Sequence, residues 1–186
     1  MIKIAESAGF CFGVSRAVEL VEKCAAEGKI VVTLGPIIHN RHAVDRFRQM
    51  GVQVIGSPEE AQPGSTVIIR SHGVTKAVQE ALQERGAEVV DATCPFVKRI
   101  HEIVSREEEE GRYPLIIGTP SHPEVEGIAG WCDSCLIFDT PEALQNWANE
   151  HPEWSQKPVS MVCQTTSTEK LWKNCCEIAK KQFTNL

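Results

Sequence analysis

The chain has 186 residues, 42% of them hydrophobic and 24% charged, with a formal net charge of −6. This is ordinary globular material, long enough to bury a core as one large domain or two small ones, and an acidic balance without a basic, aromatic-interleaved stripe excludes a nucleic-acid-binding surface. No apolar run reaches membrane-spanning length and the polar start MIKIAESAG is not a secretion signal, so a cytoplasmic protein with neither nucleic acid nor membrane as partner is expected.

Taken in chain order, the first helical pattern follows the segment GFC: Val14, Ala17, Val18, Val21 and Ala25 recur at helical spacing and Gly28 closes the run. IVVTL (30–34), VQVI (52–55) and TVIIR (66–70) then read as strands, 74–85 as a helix closed by Gly86, AEVV (87–90) as a strand and 95–110 as a helix closed by Gly111. PLIIG (114–118), CLIF (135–138) and VSMVC (159–163) complete the strands, and 141–149 and 168–181 the helices. Most strands are continuously apolar, as in strands covered on both faces, and their alternation with helices predicts an α/β fold with mainly parallel sheets. The acidic run REEEEG (106–111) reads as a solvated face without function.

Sliding the chain by 83 residues superimposes Cys11 on Cys94, Val14 on Val97, Arg16 on Arg99, Gly28 on Gly111, Gly35 on Gly118, His39 on His122 and Pro58-Glu59 on Pro141-Glu142. Residues 11–61 give 11 identities in 51 positions without a gap, where composition gives about 3. The chain is therefore expected to hold two copies of one βαβ-type unit, lobes 1–93 and 94–186, the second longer by the insertion EHPEWSQKP. Continued at the same lengths, a third copy would place its cysteine just past Leu186.

Cys11 and Cys94 sit where a strand is expected to meet a helix N-terminus, a place that favours a thiolate. His39, His72 and His122 follow strand C-terminal ends, where open α/β sheets bind ligands. Together they point to one pocket for an anionic ligand such as phosphate. Beside His122, the Glu124 carboxyl could relay protons, and Thr165 or Thr166 could bond the substrate or that carboxyl. Glu126 would point elsewhere. His42, His101 and His151 lack such a setting and read as surface residues. Among the eight cysteines, Cys24 and Cys163 read as core. The pair Cys132-x-x-Cys135 has no second pair to complete a zinc site, and Cys175-Cys176 are adjacent on one helix. On residues alone an enzyme, a non-catalytic two-lobe anion-binding module and a cysteine-nucleophile enzyme all remain open.

The segments GFCFGVSRAV, GPIIHN, SHGV, DATCPFVKRIH, HPEVEG and QTT, in this order, resemble the successive motifs of the LytB (IspH) family, the 4-hydroxy-3-methylbut-2-enyl diphosphate reductases of the methylerythritol phosphate route to isoprenoids. The resemblance implies an oxidoreductase with three α/β lobes in pseudo-threefold arrangement around a 4Fe-4S cluster, one cysteine ligand coming from each lobe. Cys11 and Cys94 match two of these ligands. His39, His72 and His122 match diphosphate-binding histidines, Glu124 the proton donor, and Thr165 the threonine that orients the substrate hydroxyl. A ferredoxin- or flavodoxin-type electron donor is implied as partner. The family's third lobe, with the third cysteine and a Ser-x-Asn segment, has no counterpart in these 186 residues. The expectation is a two-lobe fragment that holds the cluster weakly and turns over negligibly alone.

Overall fold

The computed structural model describes residues 2, 3, 5, 8–38 and 40–186. The chain divides into two compact units, Met1–Ser71 with Val78–Pro95, and His72–Ala77 with Phe96–Leu186. A cut between residues 93 and 94 differs from this division in that His72–Ala77 packs with the second unit, and Cys94 and Pro95 with the first.

The first unit carries α1 (Phe12–Ala26), β1 (Val31–Leu34), α2 (Arg41–Gln49), β2 (Gln53–Ile55), a 3-10 turn (Pro58–Glu60), β3 (Thr66–Ile69), most of α3 (Lys76–Glu84) and β4 (Glu88–Asp91). Its four strands pair in the order β2-β1-β3-β4, all parallel, with Val31 opposite Thr66 and Thr66 opposite Glu88. β1 and β3 are buried along their whole length, which is why they read as unbroken apolar runs. α1 lays Ala17, Val21 and Cys24 into a core with Val31, Ile37, Phe47, Val52 and Ile68.

The second unit carries α4 (Pro95–Glu109), β5 (Tyr113–Ile117), α5 (Pro123–Ala129), β6 (Leu136–Phe138), α6 (Pro141–Glu150), a 3-10 turn (Pro152–Gln156), β7 (Val159–Cys163) and α7 (Glu169–Gln182). Its sheet runs β6-β5-β7, again parallel. Leu115 and Ile117 of β5 point into a core with Phe138, Leu144, Cys175 and Ala179. Ile116 between them faces the other way, against Val104, Val125, Ile128 and Val162. β5 is thus covered on both faces, by α6 and α7 on one and by α4 and α5 on the other.

The internal repeat is visible in the elements. A shift of 83 residues carries α1 onto α4 and β2 onto β6 end to end. From β3 onward the shift is 93, so that β3 and β7, and α3 and α7, begin at matching positions. The extra residues of the second unit hold the turn Pro152–Gln156, within the expected insertion. Gly28 and Gly111 end the matched helices with φ of 72° and 79°, a conformation a side chain disfavours and which stops both helices at the same place.

Two helices escape the sequence reading. α2 (RHAVDRFRQ) is mostly charged and buries only Phe47 fully; Asn40 starts it by accepting the Ala43 amide at 3.1 Å. α5 has only seven residues, one of them glycine. The strand expected before Cys11 has no counterpart among the described residues there.

Candidate functional site

The two cysteines of the repeat both lie in the first unit. Cys11 is the N-cap of α1 and its side chain is exposed; its carbonyl accepts the Ser15 amide at 2.9 Å. Cys94 follows β4 and immediately precedes α4, with its amide donating to Ser71 O at 2.9 Å. The loop before it is held from α1: the Arg16 guanidinium donates to Thr93 O and Asp91 O, each at 3.2 Å. The Asp91 carboxylate accepts the Thr93 amide at 2.9 Å. A Cβ added to Gly13 would stand 2.7 Å from Cys94 Sγ. Gly13, two residues past Cys11, is therefore the surface against which the second thiol rests.

The acid–histidine cluster lies in the second unit. His122 caps α5, its Nδ1 accepting the Glu124 amide at 3.1 Å. With Nδ1 used as acceptor, a neutral ring carries its proton on Nε2. The His72 ring meets the His122 ring edge-on at 5.6 Å. Glu124, only 2% exposed, accepts from the Thr165 amide at 2.6 Å and from the Thr165 hydroxyl at 2.9 Å. Thr165 itself is exposed, just past the C-terminal end of β7. A buried carboxyl is thus connected by one hydroxyl to the surface, an arrangement suited to passing a proton. Glu126 is exposed and takes no part.

His39 lies outside the described residues. Cys11 and Cys94 belong to one unit, and His72, His122, Glu124 and Thr165 to the other.

Several supporting residues were not legible beforehand. Gln164, buried beside Thr165, accepts the Thr119 amide at 3.2 Å and donates to the Thr166 hydroxyl at 2.8 Å. A Cβ at Gly118 would meet Val125 at 2.7 Å and Gln164 at 3.0 Å, so this glycine lets α5 approach β5. Gly127 and Gly130 leave room for the His72–Thr75 segment: a Cβ at Gly127 would stand 3.3 Å from His72 O, and one at Gly130 would collide with Thr75. The Trp131 indole N–H donates to Val74 O at 2.9 Å and holds that segment down. His101, expected on the surface, is 4% exposed and stacked on Trp131 at 5.2 Å, because positions 97, 101 and 104 form the buried stripe of α4. His151 is likewise half-buried, stacked on Trp147 at 4.4 Å. The acidic run is not merely solvated: Glu107 pairs with Arg106 at 2.7 Å, and Glu108 binds the Asp133 and Ser134 amides.

The Cys24, Cys163 and Cys175 thiols serve the packing. Burial pushes up the Cys24, Cys163 and Cys176 thiols and takes Cys175 up to about 11. Among the described residues no group of three or more His, Cys, Asp or Glu side chains is arranged to hold a metal ion. Cys11 and Cys94, each at a helix start, are of the residue type that an iron–sulfur centre takes. Among the described residues no helix is long and apolar enough to cross a membrane.

Two α/β units of one design, each with a parallel sheet, define a repeated-lobe α/β protein, with thiols at two helix starts and an acid–histidine–threonine cluster at strand ends. The family model described as LytB protein matches residues 2–186, and the chain belongs to that family. It is 44% identical over 178 residues to 4-hydroxy-3-methylbut-2-enyl diphosphate reductase of Aquifex aeolicus, covering 92% of this chain and 59% of the relative. It is 40% identical over 191 residues to the same enzyme of a Thermoanaerobacter species, covering 100% of this chain and 64% of the relative. A solved (E)-4-hydroxy-3-methyl-but-2-enyl diphosphate reductase, described as the terminal enzyme of the non-mevalonate pathway, superimposes with a TM-score of 0.83 at 42% identity, over 99% of this chain and 65% of that one. The Plasmodium falciparum reductase shares the fold at a TM-score of 0.84 and 24% identity, over 97% of this chain and 57% of that one. The chain thus spans roughly three-fifths of the length of these relatives.

Proposed function

We propose that this chain provides two of the three lobes of a 4-hydroxy-3-methylbut-2-enyl diphosphate reductase of the cytoplasm, and that it does not turn over alone. The observation that carries this reading is the buried Glu124 carboxyl, held by the amide and hydroxyl of Thr165 beside the His72–His122 pair. Family membership supplies the reaction: two electrons and two protons convert the allylic alcohol to isopentenyl and dimethylallyl diphosphate, with the hydroxyl leaving as water. Cys11 and Cys94 would hold a 4Fe-4S cluster together with a third ligand from elsewhere. When bound, that cluster supplies the electrons, received from a ferredoxin- or flavodoxin-type protein, and a Lewis-acidic iron for the hydroxyl.

The chain's own residues do the rest. His72 and His122, with His39, bind the diphosphate, His122 through its free Nε2 edge. The Thr165 hydroxyl orients the substrate hydroxyl, and a Glu124 proton passes through it to the departing oxygen. Calorimetric titration of the whole chain with 4-hydroxy-3-methylbut-2-enyl diphosphate tests this. Saturable binding, weakened at least roughly tenfold by H72A and by H122A, is expected. No binding, or binding that neither variant weakens, overturns the substrate assignment.

A further inference from the structure

The loop between α5 and β6 carries a feature that the proposed reaction does not use. Cys132 and Cys135 are both half-buried there and pack on the cluster of Val104, Ile116, Val125 and Ile128. Each thiol is the foremost influence on the other's acidity, and the Cys132 thiol donates to Ala129 O at 3.5 Å. The two residues between them are pinned from α4: the Glu108 carboxylate accepts the Asp133 amide at 2.8 Å and the Ser134 amide at 2.7 Å. This clamp fixes the two residues between the cysteines, and both cysteines pack on the same apolar cluster. Glu108 is committed to those amides, and among the described residues no third metal-ligating side chain joins the pair. Two apposed thiols without a third ligand suit disulfide chemistry better than metal binding.

We propose that Cys132 and Cys135 are a reversible dithiol–disulfide pair, oxidised by a low-molecular-weight disulfide of the glutathione class. The neighbouring Cys132 lowers the Cys135 thiol below the usual cysteine range, while Cys135 and burial raise Cys132, so Cys135 is the attacking sulfur. Its thiolate displaces one thiolate from the oxidant and forms a mixed disulfide. Cys132 then loses its proton and attacks Cys135 Sγ, releasing the second thiolate. Two electrons pass from the pair to the oxidant's S–S bond, and two protons balance the released thiolates. The disulfide would brace the loop that carries Trp131, the residue that anchors Val74 and with it the His72 segment.

The test equilibrates the full chain anaerobically in mixtures of reduced and oxidised glutathione, quenches with acid, alkylates the remaining thiols and weighs the peptide containing both cysteines. The expected peptide resists alkylation at both sites together, is lighter by two hydrogens, and reverts on reduction. C132S should stop at a glutathione adduct on Cys135. C135S should stop at an adduct on Cys132, and neither variant should form the internal disulfide. Circular dichroism establishes that both serine variants keep the fold. Independent adducts on the two cysteines of the unsubstituted chain, pairing of either with another cysteine, or two free thiols in fully oxidised buffer would each overturn the proposal.

Discussion

At the scale of single residues, Glu124 is the group on which most depends. A carboxyl 2% exposed is affordable only because Thr165 offers it two donors. T165V removes the hydroxyl bond and leaves the amide bond, so it should cost about 1–3 kcal/mol in denaturant titration. It should also cut the link between the carboxyl and the surface. E124Q keeps the shape and hydrogen-bonding capacity while removing the transferable proton. On the proposed reading, and in an assembly that turns over, product formation should fall at least about a hundredfold with little change in substrate affinity. A parallel loss of affinity would move Glu124 from proton transfer to binding.

At the scale of elements, α5 would join folding to the proposed function, because His122 caps it through Nδ1 and keeps Nε2 out of that bond. H122A should therefore lose stability by about 0.5–2 kcal/mol as well as ligand affinity. H122N should restore much of the cap without the imidazole; stability that recovers without affinity, followed by thermal melts and calorimetry, separates the two roles. The helix is also where sequence reasoning reached its limit. The buried strands are legible because an unbroken apolar run such as TVIIR has few alternatives, and α1 and α4 because their apolar stripes repeat at helical spacing. α2 and α5 are not, since one is mostly charged and the other too short to show a period. Cys11, Cys94, His72, His122, Glu124 and Thr165 could be picked out from repeat positions and motifs. The roles of Gly118, Gly127 and Gln164 could not, although they fall in the repeat or the motifs, and Trp131 could not at all: it meets Val74 across 57 residues of chain, and a contact of that range leaves no local mark.

At the scale of the whole molecule, the repeat places two like sheets in one chain, one with β1 and β3 buried along their length and one with β5 buried from Pro114 to Ile117. L115A, in the central strand of the second unit, should cost about 2–5 kcal/mol, measured as a shift in the denaturant midpoint. Two thiols at matched helix starts are a partial grip for a four-iron cluster, which takes up to four cysteine ligands. Anaerobic treatment with iron and sulfide should load this chain substoichiometrically, and the colour should fade on desalting. A durable, near-stoichiometric cluster with turnover from these 186 residues alone would overturn the proposal that they do not turn over by themselves.

The resting place of the Cys94 sulfur against Gly13 also sets a size limit on chemistry at that atom. Cys11, exposed at its helix start, accepts an electrophile of any bulk, whereas a large adduct on Cys94 must push α1 aside. The ratio of labelling by a compact alkylator to labelling by a bulky maleimide is thus a caliper for that helix. It should be near unity for Cys11 and well above it for Cys94, and should fall as α1 loosens on heating.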